Sequence, residues 1–136
     1  MIYMLDTDIM IYLINRKPGY ENIARKMSGH SPGELRLSVI TLAELEYGIE
    51  NSQYKSKNQA ALEDLLIFFE IEDFPRAATK DYAQIKYALK KKGKPIGPYD
   101  LLIAAHARYL NATIVTHNLS EFSAVPGLST KDWSRS

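Results

Sequence analysis

The sequence predicts an α/β fold in which a mainly parallel central sheet of about five strands is flanked by helices. Two short runs, residues 2–5 and 113–116, lack charged residues and polar alternation, as strands buried on both faces of a parallel sheet do. Segments with apolar residues at helical spacing alternate with such strand-like runs, which favours parallel strands joined by helices. The 136 residues are 46% hydrophobic, so we expect one domain over residues 1–136.

The predicted elements follow one another without a linker or an internal repeat. Helices are expected over residues 9–15, 20–27, 41 to about 48–51, 57–69, 77–92 and 98–110, with a helical turn at 120–122. Strands are expected over residues 2–5, 35–40, 71–74 and 113–116, with an edge strand and tail at 125–128 and 132–133. Pro98 suits the first position of the sixth helix.

Composition excludes several classes of protein. The chain has no cysteine, so it forms no disulfide and no thiolate metal site. The N-terminus has no basic segment of a signal peptide, and no apolar run approaches the roughly 20 residues needed to span a bilayer. We therefore expect a soluble, cytoplasmic protein without membrane contact. A net charge of +1 is too small for nucleic-acid binding by bulk charge, so such binding would depend on a local patch.

Four polar side chains are predicted to meet at one rim of the sheet. Asp6 follows the first strand, Glu44 lies in the helix after the second, Asp100 begins a buried helix, and Asn118 follows the fourth strand. Ligands of open α/β sheets bind at the carboxyl ends of the strands. Each residue also has an ordinary structural explanation. Asp6 could be only a turn or cap residue, and Glu44 could complete a Thr-x-x-Glu capping box. Asp100 could be only a residue of a first helical turn, and Asn118 a turn residue. Asp8 is the expected cap of the first helix.

Considered together, the three carboxylates predict a cation. At separations of about 4 Å, like charges repel by a few kcal/mol per pair at an effective dielectric constant near 20. A cation makes such a cluster tolerable. Ligands that are all oxygen, with neither His nor Cys among them, suit Mg²⁺ or Mn²⁺ rather than Zn²⁺.

The ordered motifs of the chain resemble those of PIN-domain ribonucleases, specifically the VapC-type toxins of bacterial type II toxin–antitoxin pairs. The matching pieces, in family order and spacing, are Met4-Leu5-Asp6-Thr7-Asp8, residues 38–45 with Gly48, residues 93–100 with Ile103-Ala104-Ala105-His106-Ala107, Val115-Thr116-His117-Asn118 with Glu121-Phe122, and the tail Gly127-Leu128 with Asp132-Trp133. Each piece alone is a weak signal, but the ordered set is specific and covers essentially the whole chain.

The resemblance implies a metal-dependent endoribonuclease that cleaves structured RNA, tRNA or rRNA, and thereby inhibits translation. The family's acidic positions map onto Asp6, Glu44 and Asp100, which would hold Mg²⁺ or Mn²⁺. The fourth family position, Asp or Asn among members, is Asn118, whose lack of charge argues against a tightly held second metal ion.

Three neighbouring residues could support this site. Asp8 stands where many members have Asn, so it is either a further ligand or only a helix cap. Thr7 and Thr116 flank acidic positions and could hold a water molecule beside the metal by their hydroxyl groups.

Substrate and partner contacts are predicted elsewhere on the chain. A run of lysines precedes the loop that bears Asp100 and could guide an RNA backbone to the metal, or be only a solvated helix end: Lys90, Lys91, Lys92 and Lys94. Residues 62–71 have more apolar side chains than one face of a helix can bury, so part of them should form an interface, unless they pack on residues 20–27. The resemblance implies a homodimer and a groove for a VapB-like antitoxin helix, with a basic antitoxin side chain reaching the carboxylates.

Three alternative functions remain open at this point. Asp6-x-Asp8 after an apolar strand also resembles haloacid-dehalogenase-type phosphatases, although these have Thr or Val where this chain has Met10. A receiver-like signalling domain would need an acceptor Asp after the third strand, and Asp73 is expected inside that strand. An inactive PIN module that only binds a partner is the third.

The histidines and the tryptophan have mainly structural interpretations. His106 is expected to be a satisfied core residue and His30 a loop residue. His117 adjoins Asn118 and could contact RNA. Trp133 is expected to pack the C-terminal tail onto the domain.

Overall fold

Five parallel strands form the centre of the computed structural model, which describes residues 1–135. The strands are β1 (Tyr3–Leu5), β2 (Leu35–Ser38), β3 (Glu70–Glu72), β4 (Thr113–Val115) and β5 (Ser129–Lys131). Their order across the sheet is β3-β2-β1-β4-β5, and every neighbouring pair is parallel. The predicted single α/β domain with about five mainly parallel strands is confirmed.

Helices cover both faces of this sheet. They are α1 (Thr7–Asn15), α2 (Tyr20–Ser28), α3 (Val39–Glu50), α4 (Lys55–Leu66), α5 (Thr79–Lys91), α6 (Pro98–Tyr109) and α7 (Leu119–Phe122), with a 3₁₀ turn at Arg76–Ala78. None of the helices within residues 1–135 is long and apolar enough to cross a bilayer.

Alternation along the central strands divides the core into two layers. Met4 and Ile114 pack with α5 and α6 on one face, whereas Leu5 and Val115 pack with α1 to α4 on the other. Successive side chains of a strand point to opposite faces, so two adjacent apolar residues serve two cores. This explains why β1 and β4 lack polar alternation.

Several predicted boundaries are wrong. The fourth helix ends at Leu66 rather than residue 69, and the third strand is Glu70–Glu72 rather than 71–74. The edge strand is Ser129–Lys131, between the two segments predicted as strand and tail. That strand is polar and mostly exposed, and it is specified by pairing with β4 rather than by apolar residues of its own.

The C-terminal tail is held by aromatic packing at the amino-terminal end of the sheet. Trp133 is 4% exposed and lies 5.1 Å from the ring of Tyr3 and 5.2 Å from that of His30, measured between centroids. The predicted packing of Trp133 is confirmed, and loop residue His30 completes the cluster. A cavity of about 410 Å³ lies at this place and has the three rings in its lining.

Candidate active site

The strand order places Asp6 at the topological switch point of the sheet. From β1 the chain proceeds to β2 on one side, while β4 lies on the other, and such points open a crevice at the carboxyl ends of the strands. Asp6 is 2% exposed and caps α1, with its Oδ1 accepting a hydrogen bond from the Ile9 N–H at 2.9 Å. The expectation that Asp8 is the cap is wrong, because α1 begins at Thr7. Asp8 lies exposed in the first turn.

Glu44 is held toward this crevice by a side chain of α1. The Thr7 hydroxyl donates to Glu44 Oε1 at 2.6 Å, which links α1 to α3. The predicted Thr41–Glu44 capping box is wrong, since Ser38 is the N-cap and its Oγ accepts from the Ile40 N–H at 3.1 Å. The helix begins three residues earlier than its Thr-x-x-Glu signature indicates, so Glu44 lies beyond the first turn and is free to serve the site.

Asp100 lies half-buried in the first turn of α6, as predicted. Its pKa is raised to about 6, first by burial and then by the negative charges of Glu121, Glu44 and Asp8 in that order. These mutual effects identify the carboxylates that share one electrostatic environment.

Glu121 is an acidic residue of the site that the sequence analysis did not assign. Asn118 donates from Nδ2 to Glu121 Oε2 at 2.8 Å. Among the neighbouring charges, that of Glu121 raises the pKa of Asp100 the most. Asn118 therefore positions a carboxylate, which restores a negative charge to this corner. The signal was the Asn-x-x-Glu spacing, which brings two side chains onto one side of the short α7.

The Asp6 carboxyl is the most strongly perturbed acid of the site. Its pKa is raised to about 7, mainly by burial and also by the negative charges of Asp8 and Asp100, although hydrogen bonds from the Thr116 hydroxyl and the Ile9 N–H act to lower it. Thr116 also accepts the Asn118 N–H at 2.9 Å, so its hydroxyl connects two site residues.

The donor set fits a hard divalent cation. Among residues 1–135, none of the five acidic side chains forms an ion pair with Lys, Arg or His: Asp6, Asp8, Glu44, Asp100 and Glu121. All donors are oxygens, which suits Mg²⁺ or Mn²⁺. In the same part of the chain, no three acidic or histidine side chains already converge as closely as the ligands of a bound ion do. The carboxylates thus line the crevice as an uncompensated acidic group rather than as a preformed cage.

His106 and His117 lie in different surroundings. His106 is fully buried, its Nδ1 lies 2.8 Å from Ser38 Oγ, and burial lowers its pKa. The predicted core position of His106 is confirmed, but the expectation that its polar atoms are satisfied is wrong for Nε2, which has no hydrogen-bond partner within residues 1–135. His117 packs on Tyr12 beside the acidic group, with 4.6 Å between ring centroids.

The predicted lysine run lies exposed where α5 ends, before the loop that leads to Asp100. Gly93, with φ of +69°, terminates the helix, and the Lys94 N–H donates to the Leu89 carbonyl at 2.9 Å. The Lys92 ammonium donates to the Ala124 carbonyl oxygen at 3.0 Å. Within residues 1–135, the ammonium groups of Lys90, Lys91 and Lys94 form no such hydrogen bond, although that of Lys91 lies 5.3 Å from the centroid of the Tyr87 ring.

Two cavities border the acidic group on either side of Glu44. One, of about 450 Å³, is lined by Ile40, Ala43, Glu44, Tyr47 and Tyr99. The other, of about 250 Å³, includes Ile11, Ile14, Leu45 and Ile49 along with Glu44. Both are largely apolar grooves that end at a carboxylate.

Fold and site together define an α/β protein with an acidic crevice at the switch point of a parallel sheet, and comparison with known proteins identifies its family. The PIN domain family model matches residues 3–128. Ribonuclease VapC2 of Rickettsia felis is 42% identical over 99% of this chain and its own full length. The tRNA(fMet)-specific endonuclease VapC of Shigella flexneri is 40% identical over 97% of this chain and 98% of its own. The chain therefore belongs to the VapC group of the PIN-domain family.

Solved structures agree with this assignment. The VapBC2 complex of Rickettsia felis, bound to a DNA fragment from its promoter, contains a chain that aligns with a TM-score of 0.87, 41% identity and 98% coverage of this chain. DNA-bound VapBC from Salmonella typhimurium gives a TM-score of 0.89 at 38% identity, covering 98% of both chains. The resemblance seen in the sequence motifs is confirmed.

These findings decide against two of the alternatives. A receiver-like fold has the strand order 2-1-3-4-5, which differs from the order here. Asp73 follows β3 rather than lying within it as predicted, but β3 is an edge strand and Asp73 is exposed, remote from any acidic pocket at the centre of the sheet. Family membership likewise disfavours the phosphatase interpretation.

The raised pKa of Asp6 predicts a pH-dependent stability in the absence of divalent cations. The folded state retains the Asp6 proton up to about pH 7, whereas the unfolded chain loses it near 3.8, so stability is lost as pH rises between these values. We expect Asp6→Asn to melt at nearly the wild-type temperature at low pH and above it at pH 8. Thermal unfolding of both proteins in chelator measures this difference, and a difference that does not change with pH would contradict it.

Proposed function

We propose that this protein is a Mg²⁺-dependent endoribonuclease that acts as the toxin of a toxin–antitoxin pair. The observation that carries the proposal is a group of acidic side chains at the carboxyl ends of β1 and β4 and the amino terminus of α6 that has no cationic partner within residues 1–135. Relatives that match over nearly their full length are named ribonuclease or endonuclease VapC, which supports the activity.

Asp6, Asp100 and Glu44 would hold the metal, with Mn²⁺ as the alternative ion. A bound divalent cation lowers the pKa of water and neutralises charge that develops on the phosphoryl group. The chain's contribution is to aim the ligands: the Ile9 N–H orients Asp6, the Thr7 hydroxyl orients Glu44, and the first turn of α6 presents Asp100. Asn118 acts on the site through Glu121, and the exposed Asp8 adds charge at the rim.

Structured RNA is the proposed substrate, with tRNA favoured over rRNA. Two relatives are named tRNA(fMet)-specific endonuclease, at 40% and 38% identity. The exposed lysines at the end of α5 supply local positive charge that an overall charge of +1 does not. An acidic crevice repels a phosphate backbone, so such cations outside it would guide RNA toward the metal.

A VapB-like antitoxin and a second copy of this chain are the proposed protein partners. Solved relatives are VapBC complexes, and the two apolar cavities that flank Glu44 suit an amphipathic antitoxin helix with a basic side chain directed at the carboxylates. Ile67, Phe68 and Ile71 are 78%, 56% and 42% exposed, so they do not pack on α2 inside the monomer. This patch is proposed as a self-association surface.

Replacing either central carboxylate should remove cleavage while preserving the fold. We expect Asp6→Asn and Asp100→Asn each to lower the rate of RNA cleavage in Mg²⁺ by roughly 100-fold or more, the scale on which preorganised charge contacts act. Because each change relieves repulsion, melting temperatures should be retained or raised. Single-turnover cleavage of a tRNA transcript, with melting curves, makes the measurement.

The matched control is Asp64→Asn, which removes an exposed carboxylate of α4. It should cleave as the wild type does, and only the cleaving proteins should arrest bacterial growth when expressed alone. Wild-type cleavage that persists in excess chelator would refute metal dependence. Absence of cleavage in every condition would favour the inactive binding module.

Neutralising two lysines should weaken RNA binding in a salt-dependent way. Each single-strand phosphate contact contributes about 0.7 to the slope of log affinity against log salt, so Lys90→Gln with Lys94→Gln should reduce that slope by about 1.4. The control pair, Lys57→Gln with Lys80→Gln, removes the same charge from α4 and from the other end of α5. Equal slopes for the two double variants would show that the run is only a helix terminus.

A charge in the exposed apolar patch should disrupt self-association. The wild type is expected to sediment as a dimer at micromolar concentration and Phe68→Glu as a monomer, because burying an unpaired carboxylate in an interface is costly. Tyr109→Glu, which alters an exposed ring at the end of α6, serves as the control. Sedimentation equilibrium decides the matter, and a wild type that stays monomeric at high concentration contradicts the dimer.

A further inference from the structure

Tyr12 and His117 form an aromatic pair at the rim of the acidic crevice. Their ring centroids are 4.6 Å apart with an interplanar angle of 44°, so the rings enclose a wedge rather than a flat stack. Both residues are partly exposed. Neither ring belongs to the group of acidic residues proposed to hold the metal.

The positions of the two residues place the pair beside the reacting centre. Tyr12 follows Asp8 by four residues on α1, and side chains so spaced lie on one face about 5–6 Å apart. Asp8 is close enough to raise the pKa of both Asp6 and Asp100. His117 lies between Thr116, which contacts Asp6, and Asn118, which contacts Glu121.

Hydrogen bonding does not account for the position of the His117 ring. Its Nδ1 is shielded from solvent and has no partner within residues 1–135, whereas Nδ1 of His106 lies 2.8 Å from Ser38 Oγ. A buried polar atom without a partner lowers stability, and such an atom in a folded protein often belongs to a functional site. Contact with Tyr12 is thus the described interaction that orients this ring.

Lys17 adds a cation to the pair. Arg16 adopts a left-handed conformation with φ of +49°, and the Lys17 N–H donates to the Tyr12 carbonyl at 3.0 Å as α1 ends. This reversal brings the Lys17 ammonium 5.6 Å from the centroid of the Tyr12 ring. A partly exposed aromatic wedge with an exposed lysine above it combines the two features by which proteins hold single-stranded nucleic acid.

We propose that Tyr12, His117 and Lys17 form a nucleotide-binding subsite, in which one unpaired RNA base next to the scissile phosphate stacks on the rings while Lys17 contacts its phosphate. The inference rests on the proposed ribonuclease function and adds substrate recognition to it. Stacking is suited to this place, because it does not depend on net charge whereas the neighbouring carboxylates repel the backbone. The subsite selects RNA with an unpaired base at the cleavage point, such as a loop.

The test measures affinity for a fluorescein-labelled RNA hairpin by anisotropy, in an Asp100→Asn background that prevents cleavage. Tyr12→Leu keeps the apolar packing and should weaken binding about tenfold, the effect of losing one base stack. Tyr12→Phe should restore the parent affinity, and Tyr109→Leu, at the far end of α6 from Asp100, should leave it unchanged. Lys17→Gln should lower the salt slope by about 0.7.

A second series uses hairpins in which each loop nucleotide in turn is abasic. Removal of the base at one loop position should weaken RNA binding by the parent protein. The same removal should not weaken binding by Tyr12→Leu any further, since the base and the ring form one contact. His117→Leu removes the unpartnered nitrogen and is expected to fold, so it provides an independent loss of the wedge. Two results would overturn the subsite. One is that Tyr12→Leu and His117→Leu bind the hairpin as tightly as the parent. The other is that every abasic position lowers the affinity of each variant by as much as it lowers that of the parent.

Cleavage assays with proteins that retain Asp100 test the subsite separately from the nuclease activity. A higher KM for Tyr12→Leu with little change in kcat supports the subsite. Cleavage with an unchanged KM removes the subsite and leaves the nuclease intact. A protein that never cuts the hairpin in Mg²⁺, yet binds it with the expected ring dependence, refutes the nuclease while the RNA contact stands.

Discussion

The burial of Asp6 at the end of the central strand is the constraint on which the rest of the site depends. The carboxylate is 2% exposed, and burial is the main cause that raises its pKa to about 7. It also caps α1 through the Ile9 N–H, so the helix that covers the sheet starts at the charge itself. The same carboxyl group therefore caps α1 and contributes to the charge of the site. A cation that favours its charged form would act directly on the residue that caps α1.

The other acidic residues are positioned by uncharged partners rather than by lysine or arginine. Thr7 fixes Glu44 and Asn118 fixes Glu121, each with one hydrogen bond from a neutral group. A basic partner would lower the local negative charge and compete with a metal ion for the same oxygens. Arginine forms ion pairs elsewhere in the chain. For example, Arg108 Nε donates to Asp81 Oδ1 at 2.7 Å and thereby joins α6 to α5.

The surroundings of the crevice divide into surfaces of different chemistry. Apolar grooves flank Glu44, exposed lysines precede Asp100, and an aromatic pair with a lysine borders Asp8. An acidic centre attracts neither RNA nor an apolar helix by itself, so affinity for both must come from its rim. The proposed antitoxin helix and the proposed RNA substrate would therefore contact separate parts of the rim while competing for one centre.

The sequence by itself determined the fold class, the places of β1 and β4, and the motifs that contain three of the carboxylates. Uninterrupted apolar runs follow from burial on both faces, and Asp6, Glu44 and Asp100 stand in motifs whose order is specific to the family. Local signals failed where tertiary contacts compete with them. Asp8 and Thr41 have cap chemistry, yet Asp6 and Ser38 are the caps, because the strands end at those residues and the helices begin at once.

Only the tertiary structure decided the remaining features of the site. Strand β5 is polar, so its existence depends on pairing with β4 and not on a pattern of its own. Tyr12 and His117 come from elements far apart in sequence, and nothing in their local sequence indicates that their rings meet. The Asn-x-x-Glu spacing indicates the contact of Glu121 with Asn118, but not the effect of Glu121 on Asp100. The physical reason is that a sequence pattern records which face of an element is buried, whereas the meeting of polar side chains at a rim depends on how the elements cross.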